Sequence, residues 1–431
     1  MSSIPFILSS LNQAMEKLQP GMDEAVRVGV PFLGWIETTT KAEKFAPSKW
    51  IQPMYFSLPG NARAVPENTQ LPTNVDWTKD RAYVSAIKTV TRADISIEAL
   101  EVGAASLENE VRRMSTKLVT DFRVAKQNQI WGTPAANGVI AVVTAVDSGN
   151  KKLTLKWHGD GYSMYPGNFY CKPGLKVAID AGSDIATTTQ LHTIASPVDY
   201  LAHPNTIYTS ATPTSVTTGD LVVPGEVDPI AGAGNNNSQY LGAVTNMYQH
   251  IIDQTSATYQ GLSRVTYGQA ISGIVSGNSG SMRNLTENML VQAELAPEQI
   301  TGEPNGKIAW WMHPDMKLGY FKVMNAKKYY LGEEIMAGAD VDKLKIGQKT
   351  FFTDAFMWPG AICGIARDTF KWLQIRAPGF DKIGGEIFTP LGTSATAHVR
   401  TAVYWDYGQL VNNNPSKNTS ITDLYRGQDM T

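Results

Sequence analysis

Cysteine is scarce in this chain, and its scarcity excludes several kinds of site. The 431 residues include two cysteines, Cys171 and Cys363, which lie far apart in the sequence. Two thiols cannot build a framework of several disulfides or a four-thiolate zinc site, and their spacing rules out a C-x-x-C redox motif. The cysteine content therefore favours folding in a reducing compartment.

Neither sign of charge is in excess, and long apolar runs are missing. The chain has 37 Lys and Arg residues against 39 Asp and Glu residues, a formal net charge of -2. Without a global positive field, any contact with nucleic acid must come from a local basic patch. No apolar run reaches the roughly 18 residues that a membrane-spanning helix needs, and segment 1–20 lacks the basic start of a signal peptide. The sequence predicts no membrane contact and no export signal.

The residue types that usually perform catalysis or bind metals are not grouped. The six histidines show no H-E-x-x-H pattern and no i,i+4 pair; they are His158, His192, His203, His250, His313 and His398. The stretch Gly277–Ser281 (GNSGS) superficially resembles a serine-nucleophile loop, but such a stretch is more typical of a plain loop. No phosphate-binding G-x-x-x-x-G-K-[ST] sequence occurs. We therefore predict no enzyme activity, no metal and no cofactor.

The overall composition is typical of packed domains. Hydrophobic residues make up 42% and charged residues 18% of the chain, which excludes a mostly disordered polypeptide. Because 431 residues exceed what one ordinary core holds, we expect two or three domains.

The first part of the chain predicts an arm and a hairpin. Residues 11–30 are expected to form short helices, because Pro20-Gly21 interrupts the helical pattern. Residues 45–93 have strand character at both ends and a Pro-, Asn- and Gly-rich stretch, 59–79, in the middle. We interpret them as a long two-stranded hairpin with a polar tip. Such a hairpin has no core of its own and needs a surface to lie on.

One long amphipathic helix follows. Its apolar residues recur at steps of three and four and line one face: Leu107, Val111, Met114, Leu118, Phe122 and Ala125. The pattern predicts a helix over 106–131, about 38 Å long at 1.5 Å per residue. Bases at Arg123 and Lys126, near its end, match the helix dipole.

Residues 138–229 differ from the segments before them in their pattern of apolar and turn-forming residues. Short β-branched stretches such as GVIAVVTAV, KKLTLKW and LKVAID alternate with turn sequences, and no helical pattern is present. Regular short strands predict a small β-barrel or sandwich, an inserted module with its own core. A Gly- and Asn-rich linker, 230–238, then returns the chain to its main body.

The remaining residues mix helices and strands without a repeating β-α-β order. Asn284 is predicted to cap a helix that stops at Pro297. Residues 307–312 (KIAWWM) predict a buried strand, and a helix is expected to open at Pro314. This mixture favours the α+β class over a doubly wound fold.

The arm, the hairpin and the long helix would each be better buried against other copies of the same chain, so the sequence predicts assembly. The candidates for intersubunit contact are aromatic and basic residues of the hairpin and the helix: Trp50, Tyr55, Lys79, Arg81, Arg112 and Arg113.

The order of these parts resembles the major capsid proteins of tailed double-stranded DNA bacteriophages, which have the HK97-like fold. The segments that support the resemblance are strand 82–90 leading into TRADISIEAL (91–100), the helix end QIWG (129–132), YQGLSR (259–264), WWMHP (310–314), NPS (414–416) and Ile421-Thr422.

The resemblance implies an HK97-like α+β fold. The all-β domain predicted from the strand pattern departs from the minimal family pattern and would be an insertion into it. The parts of the chain would be an N-terminal arm (1–44), an extended hairpin loop (45–93), the spine helix of the peripheral domain (94–137), the inserted β-barrel or sandwich (138–229), and the rest of the peripheral domain with the axial domain (230–431). The resemblance further implies a structural subunit that forms pentamers and hexamers of an icosahedral shell. Partners would be other copies, scaffolding, portal and decoration proteins, and packaged DNA bound non-specifically. The expected location is the virion, after assembly in the host cytoplasm.

Two other interpretations stay open at this point. An encapsulin-like nanocompartment would share the fold but enclose a cargo enzyme, although encapsulins are usually shorter and lack a large β-insert. A virion-surface adhesin would instead bind carbohydrate through the β-module and form no closed shell.

Overall fold

The structure, a computed structural model, describes most of the chain between residues 4 and 427. The described residues are 4–39, 44–46, 49–55, 79–96, 104–131, 140–157, 167, 171, 173–180, 190–195, 205–214, 216–224, 246–254, 256–301, 308–331, 351–390, 399–425 and 427.

Six α-helices lie within these residues: α1 (Ile4–Gly29), α2 (Pro31–Trp35), α3 (Ala104–Trp131), α4 (Arg264–Tyr267), α5 (Glu287–Thr301) and α6 (Pro314–Leu331). The described strands of the first part of the chain are β1 (Glu37–Thr39), β2 (Lys44–Ala46), β3 (Lys49–Tyr55), β4 (Lys79–Ser85), β5 (Ile87–Ser96), β6 (Ala141–Asp147), β7 (Lys152–Trp157), β8 (Lys176–Asp180), β9 (Gln190–Thr193), β10 (Thr206–Tyr208) and β11 (Leu221–Pro224). Those of the second part are β12 (Thr258–Tyr259), β13 (Leu262–Ser263), β14 (Ile274–Ser276), β15 (Ile308–Met312), β16 (Phe351–Thr353), β17 (Ile362–Ala366), β18 (Phe370–Phe380), β19 (Phe388–Pro390), β20 (Val399–Asn412) and β21 (Thr419–Ile421).

The chain divides into two compact units, each built from several segments. The first unit comprises Met1–Trp50, Ser85–Gln129 and Lys371–Val411, and the second comprises Ile51–Val84, Ile130–Phe370 and Asn412–Thr431. Both units mix helices with strands, as the predicted α+β class requires.

The first unit is a sheet covered by two helices. Its strands follow the order β1-β18-β20-β19, and β5 pairs antiparallel with β20 from Ile87 opposite Gly408 to Ser96 opposite Val399. Along β5 the side chains alternate, so that Ala93 and Ile95 are buried while Arg92 and Asp94 are exposed. This alternation places one face of the strand in the core and the other in solvent.

The core of the first unit lies between α1, α3 and this sheet. Its buried residues from the helices are Met15, Met22, Val26, Val111, Met114, Leu118 and Phe122, and those from the sheet region include Ala93, Ile95, Phe380, Phe388, Ala402 and Tyr404. The four α3 residues among them belong to the face predicted from the spacing of apolar residues, so that prediction is confirmed. Burial of this face is what stabilises so long a helix, because propensity alone contributes little.

The prediction of short helices over residues 11–30 is wrong. α1 is one helix of 26 residues with Pro20 in its interior. Proline removes one backbone hydrogen bond, but side chains tie α1 to neighbouring segments on both sides of it: Asn12 and Gln19 precede Pro20, and Asp23, which accepts from the Tyr404 hydroxyl, follows it. The Asn12 amide oxygen accepts from the backbone N–H groups of Ile387 and Phe388, both at 3.2 Å, and the Gln19 amide donates to the Pro378 carbonyl at 3.3 Å. These tertiary contacts hold the helix where its local sequence predicts a break.

The predicted pairing of the two hairpin strands is confirmed for β3 and β4, but the hairpin does not extend into β5 as predicted. β3 and β4 are neighbours in a three-stranded sheet with β2, whereas β5, which we assigned to the same hairpin, pairs with β20 instead. The polar tip predicted over 59–79 lies outside the described residues, apart from Lys79.

The second unit contains a mixed sheet in the order β14-β21-β17-β15-β16. Every residue of β15 is buried, which confirms the predicted strand at 307–312, and α6 opens at Pro314 as expected. α5 departs from its prediction at both ends: the Thr286 hydroxyl accepts from the Met289 N–H at 3.4 Å in the capping position, and the helix continues through Pro297 to Thr301.

Strands β6 to β11 form a separate antiparallel sheet of six strands, in the order β10-β7-β6-β11-β8-β9. Its two outer strands meet: Ala195 N–H donates to the Tyr208 carbonyl at 2.7 Å, and Ser210 N–H donates to the Thr193 carbonyl at 2.8 Å. These bonds close the sheet into a ring of strands around buried apolar side chains such as Leu153. The described residues of this segment contain no helix, and its standing as an independent domain stays a prediction.

Candidate functional site

The candidate contact residues of the hairpin have different surroundings. Trp50 is fully buried within the chain, so its indole ring is a core group rather than an exposed contact. Arg81 is exposed on β4. Tyr55 and Lys79 occupy the ends of β3 and β4, and their side chains lie outside what the structure describes.

The two candidates on α3 share its solvent-facing side. Arg112 and Arg113 are exposed one turn before the exposed Lys117. The hydroxyl of Thr116 donates to the Arg112 carbonyl at 2.9 Å, and the hydroxyl of Thr120 donates to the Thr116 carbonyl at 2.8 Å. The exposed Asp121 lies one turn after Lys117 and interacts with its charge, so the described part of this face carries both signs of charge.

The base of the hairpin lies on another part of its own unit. Met54 of β3 and Ala82 of β4 are buried with Tyr259, Leu262 and Ile271 of the same unit. This small cluster provides, within the same chain, the surface that the sequence predicts the described part of the hairpin needs; the preference for burial against other copies stays a prediction.

Hydrogen bonds reinforce this anchor. Tyr83 N–H donates to the Gln260 carbonyl at 3.0 Å, and the Tyr267 hydroxyl donates to the Asp80 carboxylate at 2.5 Å. The bond from Tyr267 lowers the pKa of Asp80, helped by the Arg81 backbone N–H. The segment YQGLSR, which supported the sequence resemblance, therefore forms part of the support for β4.

A buried ion pair is the most unusual polar group of the first unit. The Lys126 ammonium lies 2.8 Å from the Asp406 carboxylate, and the two side chains are 1% and 3% exposed. The ammonium also lies 4.3 Å from the centre of the Trp372 ring and 5.5 Å from that of Phe122. From the sequence, Lys126 is a charge that matches the helix dipole, and the spacing of apolar residues does not predict its burial. The signal that could have found it is its position four residues after Phe122, on the edge of the apolar face.

Further polar groups surround this pair. The Gln374 amide donates to the second Asp406 oxygen at 3.2 Å, and the Tyr404 hydroxyl donates to Asp23. Burial lowers the pKa of Lys126, against the opposing effect of Asp406. Burial also raises the pKa of Asp23, and the charge of Asp406 adds to that rise. A cavity of about 210 Å³ is lined by Asp23, Lys126 and Asp406 together.

In the second unit, the last turn of α3 ends in an aromatic cluster. The Trp131 ring lies 6.0 Å from that of Trp311 and 5.8 Å from that of Trp358, centre to centre. Burial raises the pKa of Asp354, against the opposing effects of the nearby Trp131 side chain and of a hydrogen bond from the Phe356 N–H at 2.9 Å. Asp354, in the turn after β16, therefore lies beside the end of the helix.

Three possible sites raised by the sequence have plain structural explanations or no support. The backbone N–H groups of Asn278 and Gly280 donate to the Asp423 carboxylate at 2.6 Å and 3.3 Å, so the GNSGS stretch is a turn held by an acid. Among the described residues, no group of three or more His, Cys, Asp or Glu side chains could hold a metal ion. Within the same part of the chain, every helix is too short or too polar to cross a bilayer.

Comparisons with known proteins give structural likeness alone. No protein-family model matches the sequence, and the search of curated proteins found no match. The chain is similar to a protein of the cyanophage A-1(L) capsid asymmetric unit, with 10% identity and a TM-score of 0.49 over 92% of this chain and 93% of that one. It is also similar to a protein of the capsid of the native GTA particle, with 8% identity and a TM-score of 0.43 over 92% and 91% of the two chains. For a protein of the satellite phage P4 procapsid, the identity is 7% and the TM-score 0.38, over 95% and 99%.

Proposed function

We propose that this chain is a major capsid protein, a structural subunit of a bacteriophage shell with an HK97-like fold. The observation that supports the proposal is the order of the described elements. Paired strands β3 and β4 run directly into β5 of the first unit's sheet, and the next described element is the 28-residue helix α3, packed on that same sheet. This is the order of hairpin loop, peripheral sheet and spine helix that the sequence resemblance implies.

The proposed division of the chain follows from the same order. We assign 1–44 to the arm, 45–93 to the hairpin loop, 94–137 to the spine helix and 230–431 to the rest of the peripheral domain and the axial domain. Residues 138–229 are assigned to an inserted β-domain. The closed ring of six strands supports this last assignment, because closure leaves no sheet edge that must pair elsewhere.

A shell requires each copy to contact its neighbours through different surfaces. Such heterologous contacts close into rings of five or six when the rotation between copies allows it. Each contact can be weak, because several contacts per subunit act together once the shell is closed. The net charge of -2 suits this arrangement, since many strongly charged copies would repel one another.

We further propose where this subunit acts and what it contacts. The location would be the virion, after assembly in the host cytoplasm, with scaffolding, portal and decoration proteins as partners and packaged DNA bound non-specifically. Arg81, Arg112 and Arg113 are proposed as intersubunit contacts because they are exposed, and Tyr55 and Lys79 because they flank the hairpin loop.

Electron microscopy of the purified chain, with light scattering across a range of concentrations, tests the proposal. Closed polyhedral shells, or rings of five and six, are expected for the chain produced alone or together with the other proteins of its particle. Nuclease-resistant DNA inside the particles would distinguish a phage capsid from a cellular nanocompartment. A chain that stays monomeric under both conditions would refute the shell function.

A deletion within the hairpin loop tests its role in assembly. Removal of residues 61–76 is expected to leave a soluble, folded chain, because the core at the hairpin base uses Met54 and Ala82 outside the deletion. Closed shells should no longer form, since the loop would supply the contact with the next subunit. An unchanged circular dichroism spectrum is the control for folding, and normal shells from the deleted chain would rule out this role.

A further inference from the structure

The surroundings of the buried Lys126–Asp406 pair favour a covalent bond between the two side chains. We propose that the Lys126 amine and the Asp406 carboxyl condense within one chain to form an amide cross-link between helix α3 and strand β20. The proposal does not depend on the function proposed above, because it concerns two residues inside the first unit.

Contact and burial are the first requirement. The Lys126 nitrogen is 2.8 Å from an Asp406 oxygen, and both side chains are almost completely removed from solvent. Groups held this close react as if at very high concentration, with effective molarities on the order of 10⁵ M or more. An ion pair in such a place is also costly to keep, because two charges have been taken out of water. Condensation removes both charges.

The reactive protonation state is the second requirement. Only the neutral amine is a nucleophile, and burial lowers the pKa of Lys126 towards that form. The Trp372 and Phe122 rings beside the amine replace the water that would otherwise solvate an ammonium. Apolar surroundings therefore favour transfer of a proton from the ammonium to the carboxylate within the pair.

Activation of the carboxyl is the third requirement. The Gln374 amide donates to Asp406 at 3.2 Å, which stabilises negative charge on that oxygen as the amine adds to the carboxyl carbon. Asp23 accepts a hydrogen bond from Tyr404. Its burial and the charge of Asp406 both raise its pKa. Asp23 lines the same cavity as Lys126 and Asp406, so its carboxylate can take up the proton that leaves the nitrogen and pass it to the departing oxygen.

The reaction balances without another reagent. One proton moves from the Lys126 ammonium to the Asp406 carboxylate, and the amine nitrogen then bonds to the Asp406 carboxyl carbon. The second proton leaves the nitrogen, the carbon–oxygen bond breaks, and the oxygen departs as water with Asp23 as the proton carrier. The cavity of about 210 Å³ that these three residues line is large enough to hold that water.

The direct test is to measure the intact mass of the purified full-length chain and compare it with the mass calculated from its sequence. The intact protein is expected to be lighter than its sequence by one water molecule. After digestion with trypsin, peptide 124–151, uncleaved after Lys126, should be recovered joined to peptide 401–417. An intact mass equal to that of the sequence, with normal cleavage after Lys126 in both fresh and aged protein, would overturn the proposal and identify an ordinary buried ion pair.

The chain contains a matched internal control. Lys382 and Glu16 form an equally close contact in the same unit, but both side chains are 44% exposed. Water stabilises their charged forms, so trypsin should cleave after Lys382 and no linked peptide should contain Glu16.

Two variants distinguish an effect on the cross-link from an effect on the fold. Lys126→Arg keeps the positive charge but should show the full mass of its sequence. Asp23→Asn keeps the size of the side chain and the hydrogen bond to Tyr404, yet should accumulate the linked form at least tenfold more slowly. Linkage of Asp23→Asn at the wild-type rate would refute the proton transfer assigned to Asp23.

Discussion

The role of α3 as the central element of the first unit predicts a large effect of Leu118→Ala. Leu118 is fully buried, in a cluster with Met114, Phe122 and Tyr404. Shortening the side chain removes its burial and leaves a cavity between helix and sheet, which costs about 2–5 kcal/mol. Because a tenfold change in an equilibrium constant corresponds to about 1.4 kcal/mol, opening of this region should become about 30- to 4,000-fold more frequent.

Amide hydrogen exchange followed by mass spectrometry suits this test, because the chain has two units and a single unfolding curve would mix them. Peptides from residues 104–131 should lose protection by the stated factor. Leu18→Ala is the control, since Leu18 is 39% exposed in the same unit and its change should stay within about 0.5 kcal/mol. Equal loss of protection in the two variants would refute the packing assigned to α3.

Three further predictions concern two residues of the second unit and one residue of helix α1. Burial raises the pKa of Asp354 above its ordinary 3.8, so the stability that its protonated form provides is present below that value and is lost as the pH rises through the folded-state pKa. Asp354→Asn should therefore resist denaturant better than the wild type at neutral pH and equally near pH 3.8, and a variant that loses stability at neutral pH would contradict this. Gly364→Ala should destabilise by about 1–3 kcal/mol, because its new carbon would lie 2.7 Å from Thr419 and 3.0 Å from Trp310. Gly21→Ala, with no neighbour within 4 Å, should stabilise α1 by about 0.5–1 kcal/mol. Amide hydrogen exchange of the peptides around each position should show these opposite effects, and the reverse order would refute the packing at Gly364.

Local periodicity explains why some elements could be predicted. The apolar face of α3 and the buried strand β15 are properties of consecutive residues, and the structure places both as expected. Spacing of three and four residues selects one side of a helix, and a short run without polar residues selects a strand buried on both faces. Neither inference needs to know which part of the chain lies opposite.

Strand pairing could not be predicted in the same way. β5 follows the hairpin directly in sequence, and its alternating pattern fits any partner. The structure pairs it with β20, far along the chain, and adds a small core under the hairpin base through Tyr259 and Ile271. Such partners are chosen by long-range packing, which leaves no periodic signal in either strand.

The sequence by itself determined most element types, the buried face of α3, the strand-rich character of residues 138–229 and the resemblance that suggested a shell. Only the tertiary structure decided that α1 continues through Pro20, that the sheet of β6 to β11 closes upon itself, and that Lys126 is buried beside Asp406. The physical reason is the same in all three cases. Propensity and periodicity describe neighbours along the chain, whereas a helix held across a proline, a closed sheet and a buried charge each depend on groups supplied by distant residues.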